Sequence, residues 1–527
     1  MAFLSVLTSW PVLLAGILCV VLAAAVYAFL ALLRCLYDSI PPVEPSSTPP
    51  NADACALFRH LPFLAGRLAW KPLGVFPTPV HKASLLTLDP TMSFYIKRED
   101  LSSPKYGGNK VRTLEHILAS CVEHKLSYPS SSLFSIGSAG SNMNVASVVH
   151  GQSLGLPVRP CSISCDAPDF DNTLNLLSIL SFDPKHMHVW TQRWAFAKAM
   201  FHSFIRPSQE LHGSKIMPPG GNNLLGVLGQ MGGLLELAEQ IQAGDVPNVD
   251  ILYVPVGSSC TLTGLVLGLC LARHLNLAAF QTSLFHIVAV PVHPGIAKLQ
   301  RFFGLYKSSP HVPLFPRFGF RRVAAYLMQQ GLDVNLEPLA IDFLKHHVHF
   351  VTDPDIIGEY GTHSVASLAA ATHMDVGCQV EGSCPLWSKP GSVANDFKPW
   401  LCGHFASKPF AKLMHDLHLE RAEINGSCAP IKPKVRLLWL TKSYTQPRGD
   451  ADEWTKFSTL AKDKPIREWA EKGRAYSLLR PGHINLAHGS SKDYRHVMTF
   501  VGGAGVKPQS PIKLPEKFPD MHQGVSG

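Results

Sequence analysis

The sequence predicts an α/β fold with open, mainly parallel sheets in two domains. Three observations predict it. Apolar strand-like runs alternate with segments of helical periodicity from Phe94 onward. The chain has 527 residues, more than one hydrophobic core usually holds. The loops after the strand-like runs are rich in Gly, Ser and Asn, as loops are where an open sheet presents its carboxyl ends to a ligand.

The elements follow in order. Pro11 to Leu33 carries no charged residue and is long enough to cross a bilayer as a helix. It exceeds the apolar core of a cleaved signal peptide and has no basic residue before it, so a membrane anchor over residues 1–37 is expected. A buried core helix or a cleaved signal are the other readings of the same stretch. Arg34, Arg59, Arg67 and Lys71 follow it, which places the body in the cytosol by the positive-inside rule. Residues 38–53 are rich in Pro and Ser and read as a linker. The body is expected over 54–445.

Within the body, Phe94–Ile96, Leu133–Ile136, Ile251–Val254 and His286–Val290 read as strands. Thr113–His124, Asn144–Gly155, Leu224–Gln242 and Thr263–His274 read as helices. Strand–helix alternation implies right-handed crossovers between parallel strands. A smaller subdomain is expected at about 105–210, with the remainder forming the larger one. Residues 383–402 lack periodicity and read as a long loop. Beyond 446 the chain is polar and punctuated by Pro and Gly, with a short helix expected at 452–472 and a mobile end at 505–527.

Composition narrows the function. Apolar residues make up 46% and charged residues 16%, which excludes wholesale disorder. The net charge of +9 comes from scattered Lys and Arg without interleaved aromatics, so no nucleic-acid partner is expected. The 12 cysteines match no common zinc spacing and read as reduced, mostly buried thiols. His186, His188, His346, His347 and His349 lack complementary ligands, so no metal site is expected. No Gly-x-Ser-x-Gly turn sits in a convincing strand–helix context.

Four segments carry chemistry. Gly107-Gly108-Asn109-Lys110 follows Glu99-Asp100 and opens an amphipathic helix. A lysine beside a helix N-terminus has a lowered pKa, which suits Schiff-base formation. The same four residues also describe a glycine turn with a solvated lysine. Gly137 to Asn142 is a small-residue turn between strand and helix, with the Ser141 hydroxyl and Asn142 amide available to a ligand or, equally, to helix capping. Gly257-Ser258-Ser259-Cys260-Thr261 is a third such turn. It lacks the lysine of a nucleotide-binding loop and the spacing of a dinucleotide fingerprint, which leaves a single phosphate as its natural ligand. Gly220-Gly221-Asn222-Asn223 leads into the third helix, Leu224–Gln242.

Taken together these segments resemble the pyridoxal-phosphate-dependent 1-aminocyclopropane-1-carboxylate deaminase/D-cysteine desulfhydrase family, whose fold is tryptophan-synthase-β-like, fold type II. The resemblance rests on Pro77-Thr78-Pro79, Lys97-Arg98-Glu99-Asp100-Leu101, Gly107–Lys110, Ser141-Asn142, Gly220–Gly226, Gly257–Thr261 and Glu359-Tyr360-Gly361. It implies a two-domain, three-layer α/β body and pyridoxal 5'-phosphate as cofactor. It implies that Lys110 forms the Schiff base and then moves the Cα proton. Asn142 would hydrogen-bond the cofactor's phenolic oxygen. Ser141 and nearby amides would hold the substrate carboxylate, with Ser141 also catalytic. Gly257, Ser258, Ser259, Cys260 and Thr261 would hold the phosphate, and Tyr360 would lie against the ring or near the substrate. A homodimer and a small amino-acid substrate are further implications.

The chain departs from the family in three places. Met143-Asn144-Val145 replaces the usual continuation of the Ser-Asn turn. Phe405-Ala406-Ser407-Lys408 aligns with a late Tyr-(Thr or Glu)-Gly-Lys, placing Ala406 where the pyridine nitrogen's partner belongs, or Ser407 if the register shifts by one. Leu440-Thr441-Lys442-Ser443 stands for His-Thr-Gly-Gly. These changes disfavour opening of a cyclopropane ring. The expected activity is Cα deprotonation with β-elimination from a small amino acid, releasing ammonia and a 2-oxo acid. Other expectations are a different reaction on the same cofactor, or an altered cofactor-binding protein with a scaffold or regulatory role.

Overall fold

The computed structural model describes residues 14–21, 23, 27, 37–47, 51–88, 92–163, 170–184, 187–190, 213–282, 284–292, 314–358, 364–382, 398–428, 432–447, 449–451, 456, 485 and 486. Most of the expected span Pro11–Leu33 lies outside the described residues. Among the described residues no helix is long and apolar enough to cross a membrane.

Among the described residues the body holds two main sheets, as the alternating pattern predicts, and Thr445–Gln446 pairs with Asn485–Leu486 in a short third one. The larger has seven strands: β1 (Val80–Leu85), β2 (Ser93–Lys97), β7 (Ile251–Val256), β8 (His286–Pro291), β9 (Val348–Phe350), β10 (Cys378–Glu381) and β11 (Arg436–Trp439). Their order is β10-β1-β2-β11-β7-β8-β9. Strand β1 runs antiparallel to both neighbours, and every other pair is parallel. The smaller sheet has four parallel strands: β3 (Leu133–Ser138), β4 (Val158–Ile163), β5 (His188–Trp190) and β6 (Lys215–Met217), in the order β5-β4-β3-β6. Its edge strand β6 lies past residue 210, where the smaller subdomain is expected to end.

Strand β7 is buried along its whole length, which is why Ile251–Val256 reads as a continuous apolar run. Four helices carry the site between the sheets: α2 (Lys110–Ser127), α3 (Asn142–Ser153), α5 (Leu224–Ala243) and α6 (Cys260–His274). Helices α5 and α6 are apolar on nearly every face because both are enclosed. Helices α1 (Ala56–His60) and α4 (Phe170–Ser181) flank them.

The Pro/Ser-rich segment expected to be a linker is laid against the body between residues 39 and 46. Ser39 Oγ accepts from the Ile216 amide at 2.8 Å, Pro41 O from Ser120 Oγ at 2.7 Å, and Val43 O from the Ala69 amide at 2.9 Å. At the other end, the contacts of the body continue past 445. Gly449 N donates to Ser181 Oγ at 2.9 Å, and Ala451 N to the Ser181 carbonyl at 3.0 Å. Residues 383–397 of the expected loop, and the expected helix at 452–472 apart from residue 456, lie outside the described residues. Residues 400–402 are buried in the body.

The Lys97-to-Leu101 motif has a structural role. Arg112, on the first turn of α2, reaches both Glu99 and Glu236. Its Nε lies 2.6 Å from Glu99 Oε2 and its Nη2 2.7 Å from Glu236 Oε1. Lys97 Nζ donates to Glu236 Oε1 at 2.5 Å, to Gln240 Oε1 at 2.6 Å and to the Thr78 carbonyl at 2.9 Å. Thr78 Oγ1 closes the cluster on Glu99 at 2.7 Å. Beside it Arg98 and Asp100 pair at 2.7 Å. All of these side chains are buried. Burial raises the cost of ionising Glu236, but Arg112 and Lys97 outweigh it and hold the carboxyl below the usual range.

Glu236→Ala therefore leaves Lys97 buried without a carboxylate and Arg112 with Glu99 alone, and is expected to cost about 3 kcal/mol in denaturant unfolding. Because the folded-state pKa of Glu236 is depressed, the stabilisation is complete above the ordinary carboxylate range. It is lost as pH falls toward the depressed value, so the gap between parent and Glu236→Gln narrows there. A gap that stays constant down to strongly acidic pH contradicts this account of Glu236.

Candidate active site

Lys110 is the first residue of α2. The glycine before Asn109 has φ of +93°, and a Cβ on Gly108 would sit 2.7 Å from the Thr441 carbonyl oxygen. Only glycine allows that turn to pass so close to the loop after β11. Asn109 does not cap its helix with its side chain. Its Nδ2 instead donates to Thr261 Oγ1 at 2.7 Å, tying the lysine-bearing helix to the Gly257–Thr261 loop. Gln230 Nε2 on α5 supports the turn from below, donating to Asn109 O at 2.6 Å and Thr113 Oγ1 at 2.8 Å.

A cavity of about 350 Å³ opens above Lys110. Its walls bring together residues that the sequence places far apart. They include Lys110, the turn Gly137–Met143, Gly220, the loop Gly257–Thr261, Phe405 and Thr441. The Lys110 amine makes only a long contact, 3.4 Å to the Gly220 carbonyl. Gly220 has φ of +68°, and a Cβ there would lie 2.2 Å from Ser258 Oγ. Asn222 Nδ2 fastens the loop by donating to the Ser258 carbonyl at 2.5 Å.

The Gly257–Thr261 loop ends in the uncapped N-terminus of α6. Ser259 precedes that helix at φ of +69° and makes no side-chain cap. Neighbouring helices differ: Ser141 caps α3 by accepting from the Asn144 amide, and Asn223 caps α5 by accepting from the Gly226 amide. An uncapped helix N-terminus of 15 residues, facing a cavity beside the Ser258 and Thr261 hydroxyls, is a donor set for an anion.

Burial lowers the pKa of Lys110, and the neighbouring Cys260 opposes this weakly. The sequence argument for a lowered pKa invoked the helix N-terminus; desolvation is the larger cause here. Burial likewise pushes the Cys260 thiol up to about 11, which leaves it protonated at neutral pH and a poor nucleophile. The described cavity wall thus carries one amine primed to be neutral, one inert thiol and no carboxylate.

The other sequence-derived candidates fall as follows. Ser141, Asn142, Gly257, Ser258, Ser259, Cys260 and Thr261 all line the cavity with Lys110. Tyr360 lies outside the described residues. Ser407 does not line the cavity: its hydroxyl donates to the Cys402 carbonyl at 3.0 Å, so it is not turned toward a ring in the site. Ala406 is buried, and Phe405 supplies the wall at that point. Met143 lines the cavity but is otherwise core, with 1% of its surface exposed.

Sequence reasoning missed the polar groups behind Asn142. Its Oδ1 accepts from Tyr106 Oη at 2.9 Å, Asn175 Nδ2 at 2.9 Å and Lys442 Nζ at 3.1 Å. The one signal available was the lysine standing directly after a buried strand, at a position where the resemblance implies glycine.

An amine whose pKa burial lowers, a loop rich in donors and the Asn142 amide line one cavity and fit a phosphate-bearing aldehyde. The fold and site are those of an α/β enzyme body built around such a cofactor. A family model described as pyridoxal-phosphate dependent enzyme matches residues 71–354. The chain belongs to that family, and its cofactor is pyridoxal 5'-phosphate.

The mitochondrial bifunctional D-cysteine desulfhydrase/1-aminocyclopropane-1-carboxylate deaminase of Arabidopsis thaliana is 28% identical over 204 residues, which cover 37% of this chain and 50% of that protein. The D-cysteine desulfhydrase of Salmonella paratyphi A is 26% identical over 202 residues, covering 37% and 58%. The chain thus spans about half the length of the curated relatives it matches. A solved structure described as an ACC deaminase homologue is 19% identical, covers 74% of this chain and 94% of its own, and has a TM-score of 0.46.

Ser258→Ala and Thr261→Ala each remove one donor from the phosphate cradle. Each is expected to weaken cofactor binding about fivefold to tenfold in an absorbance titration. Gly220→Ala is expected to weaken it further, because strain at positive φ of ~1–2 kcal/mol adds to displacement of Ser258.

Proposed function

We propose that the protein is a pyridoxal-phosphate-dependent lyase that deaminates a small amino acid by Cα deprotonation and β-elimination, in the manner of a D-cysteine desulfhydrase. The observation that carries it is the desolvated Lys110 amine opening into a cavity whose far wall is the uncapped N-terminus of α6. The two relatives named D-cysteine desulfhydrase in whole or in part support the same class.

The roles follow from the side chains. When bound, the cofactor supplies an electron-withdrawing ring that makes the Cα proton acidic. The α6 N-terminus, Ser258 and Thr261 hold the phosphate and so fix the cofactor's position. Asn142 donates from its amide to the ring oxygen. The Ser141 hydroxyl and the backbone amides of the Gly137–Met143 turn hold the substrate carboxylate. The Lys110 amine, whose pKa burial lowers, accepts the Cα proton. The leaving group departs from Cβ with the bonding electron pair. Water then hydrolyses the released enamine, as its imine tautomer, to ammonia and a 2-oxo acid.

A second reading has its own observation. Phe405 occupies the wall where the family places a tyrosine, Ala406 follows it, and the described wall holds no carboxylate. A protein that binds the cofactor for a scaffold or regulatory role has the same cavity. Attachment to a membrane through Pro11–Leu33, with the body in the cytosol, and a homodimeric state belong to this proposal too. The length and uncharged character of the span support the first.

Purified protein is expected to show a visible cofactor band that borohydride fixes on Lys110, and Lys110→Ala to lose both. Ammonia and 2-oxo acid should appear from D-cysteine or another small amino acid, and Lys110→Ala should reduce turnover at least ~10³-fold, the scale for losing an essential proton-transfer group. A Lys110-linked band with no turnover of any small D- or L-amino acid selects the second reading. No band in the parent protein defeats both.

A further inference from the structure

Lys442 is a buried lysine that the proposed reaction does not use. It does not line the cavity, and it stands where the resemblance implies a glycine. Its Nζ lies 3.1 Å from Asn142 Oδ1, 3.1 Å from Asn175 Oδ1 and 3.2 Å from Gln446 Oε1. The same nitrogen sits 4.6 Å over the Trp400 ring and 5.6 Å over that of Tyr106. Aromatic faces and amide oxygens suit an ammonium in an enclosed space.

An ammonium only donates, so each amide beside it must present oxygen. Asn175 is constrained from both sides: Lys442 takes its oxygen, while its Nδ2 donates to the Gly140 carbonyl at 2.8 Å and to Asn142 Oδ1 at 2.9 Å. Gln446 is held likewise, with its oxygen on Lys442 and its Nε2 donating to Ser178 Oγ at 2.6 Å and to Asn175 Oδ1 at 3.1 Å. Tyr106 Oη adds a further donor to Asn142 Oδ1 at 2.9 Å. The oxygen of Asn142 is therefore saturated by three donors. A planar amide whose oxygen is held on one side presents its NH₂ on the other. Asn142 lines the cavity, so the NH₂ is what it offers there.

We propose that Lys442 is a positioning residue: it fixes Asn142 as a donor toward the ring oxygen of pyridoxal phosphate, and so holds that oxygen as the phenolate. The proposal rests on Lys110 carrying the cofactor. Lys442 touches neither substrate nor cofactor and acts only through the amide it orients. Without it, Tyr106 Oη and Asn175 Nδ2 still donate to the Asn142 oxygen, but the cation holding that oxygen away from the phenolate is gone and the orientation is less strongly biased.

The test uses the full-length holoprotein. Lys442→Met keeps the length of the side chain and removes every donor. Borohydride fixation on Lys110 should persist, while the visible ketoenamine band gives way to the near-ultraviolet enolimine band. Cofactor affinity should fall roughly tenfold, the scale of one hydrogen bond to a charged group. In an Asn142→Ala background the same substitution should change neither the band ratio nor the affinity, which a merely structural role would not predict. If the Met variant does not fold, Lys442→Gln keeps a hydrogen-bonding group in place; its amide no longer dictates the orientation of Asn142, and an intermediate band ratio is expected. An unchanged ratio in a folded variant, or an equal shift with and without Asn142, overturns the role of Lys442 alone. Absence of any Lys110-linked band in the parent overturns the cofactor reading with it.

Discussion

Arg112 between Glu99 and Glu236 is the constraint on which the site depends. It stands two residues after Lys110, so whatever fixes Arg112 fixes the start of α2. Glu99 comes from the turn after β2 and Glu236 from the middle of α5. Lys97 and Thr78 complete the charge and hydrogen-bond balance around the two carboxylates. Taking four ions out of water is costly, and their mutual attraction offsets the cost only when every donor and acceptor is used. Here they nearly all are. Such a cluster contributes little net stability over an apolar core, but it has one correct geometry and few near misses. Its value is that it places the first turn of α2 against α5 in a single register, with the Lys110 amine facing the cavity.

From that register the rest of the site follows by short links. Asn109 carries the position of α2 to Thr261, and Asn222 carries that of the Gly220 turn to Ser258. Lys110, the Gly257–Thr261 loop and the Gly137–Met143 turn therefore share one frame although they come from both sheets. Desolvation does the chemical tuning within it. The burial around the start of α2 also lowers the pKa of Lys110 and keeps Cys260 a thiol. A nucleophilic amine and an inert sulfur thus stand side by side without a dedicated base.

Much of this was legible in the sequence, because it is local. The four strands read from apolar runs and the four helices read from periodicity all form, within two or three residues of their expected ends. Gly107–Lys110 and Gly257–Thr261 each specify a turn and the helix after it, and such signals sit within a dozen residues. The Asn142 support was not legible, because Tyr106, Asn175, Lys442 and Gln446 meet across separations of up to 300 residues or more. No period or spacing marks such a meeting. Ser407 is different, because its competing partner is local. Its identity fits a ring-facing hydroxyl, but the carbonyl of Cys402, five residues back, claims it first. The role of Lys97–Leu101 was half legible: the charged run was plain, and its burial was not, since burial depended on α5.

One consequence joins these observations. Several of the polar groups lining the cavity can donate: the α6 N-terminus, the Ser258 and Thr261 hydroxyls, and the Asn142 amide. Pyridoxal phosphate carries a phosphate and a phenolate, and the substrate proposed above would bring a carboxylate, so anions would meet these donors. The Lys442 charge sits behind Asn142. Ligand binding then acts on stability as well as on catalysis, since a ligand that binds only the folded state stabilises it by RT ln(1 + [L]/Kd). The departure at Lys442 adds to this bias rather than removing it. It places another cation behind the ring oxygen, on the opposite side of Asn142 from the cavity. A lysine so buried, and so fully engaged with amides that orient one another, is a more demanding residue to retain than the glycine it replaces. Its geometry makes sense where an anionic oxygen stands on the far side of Asn142.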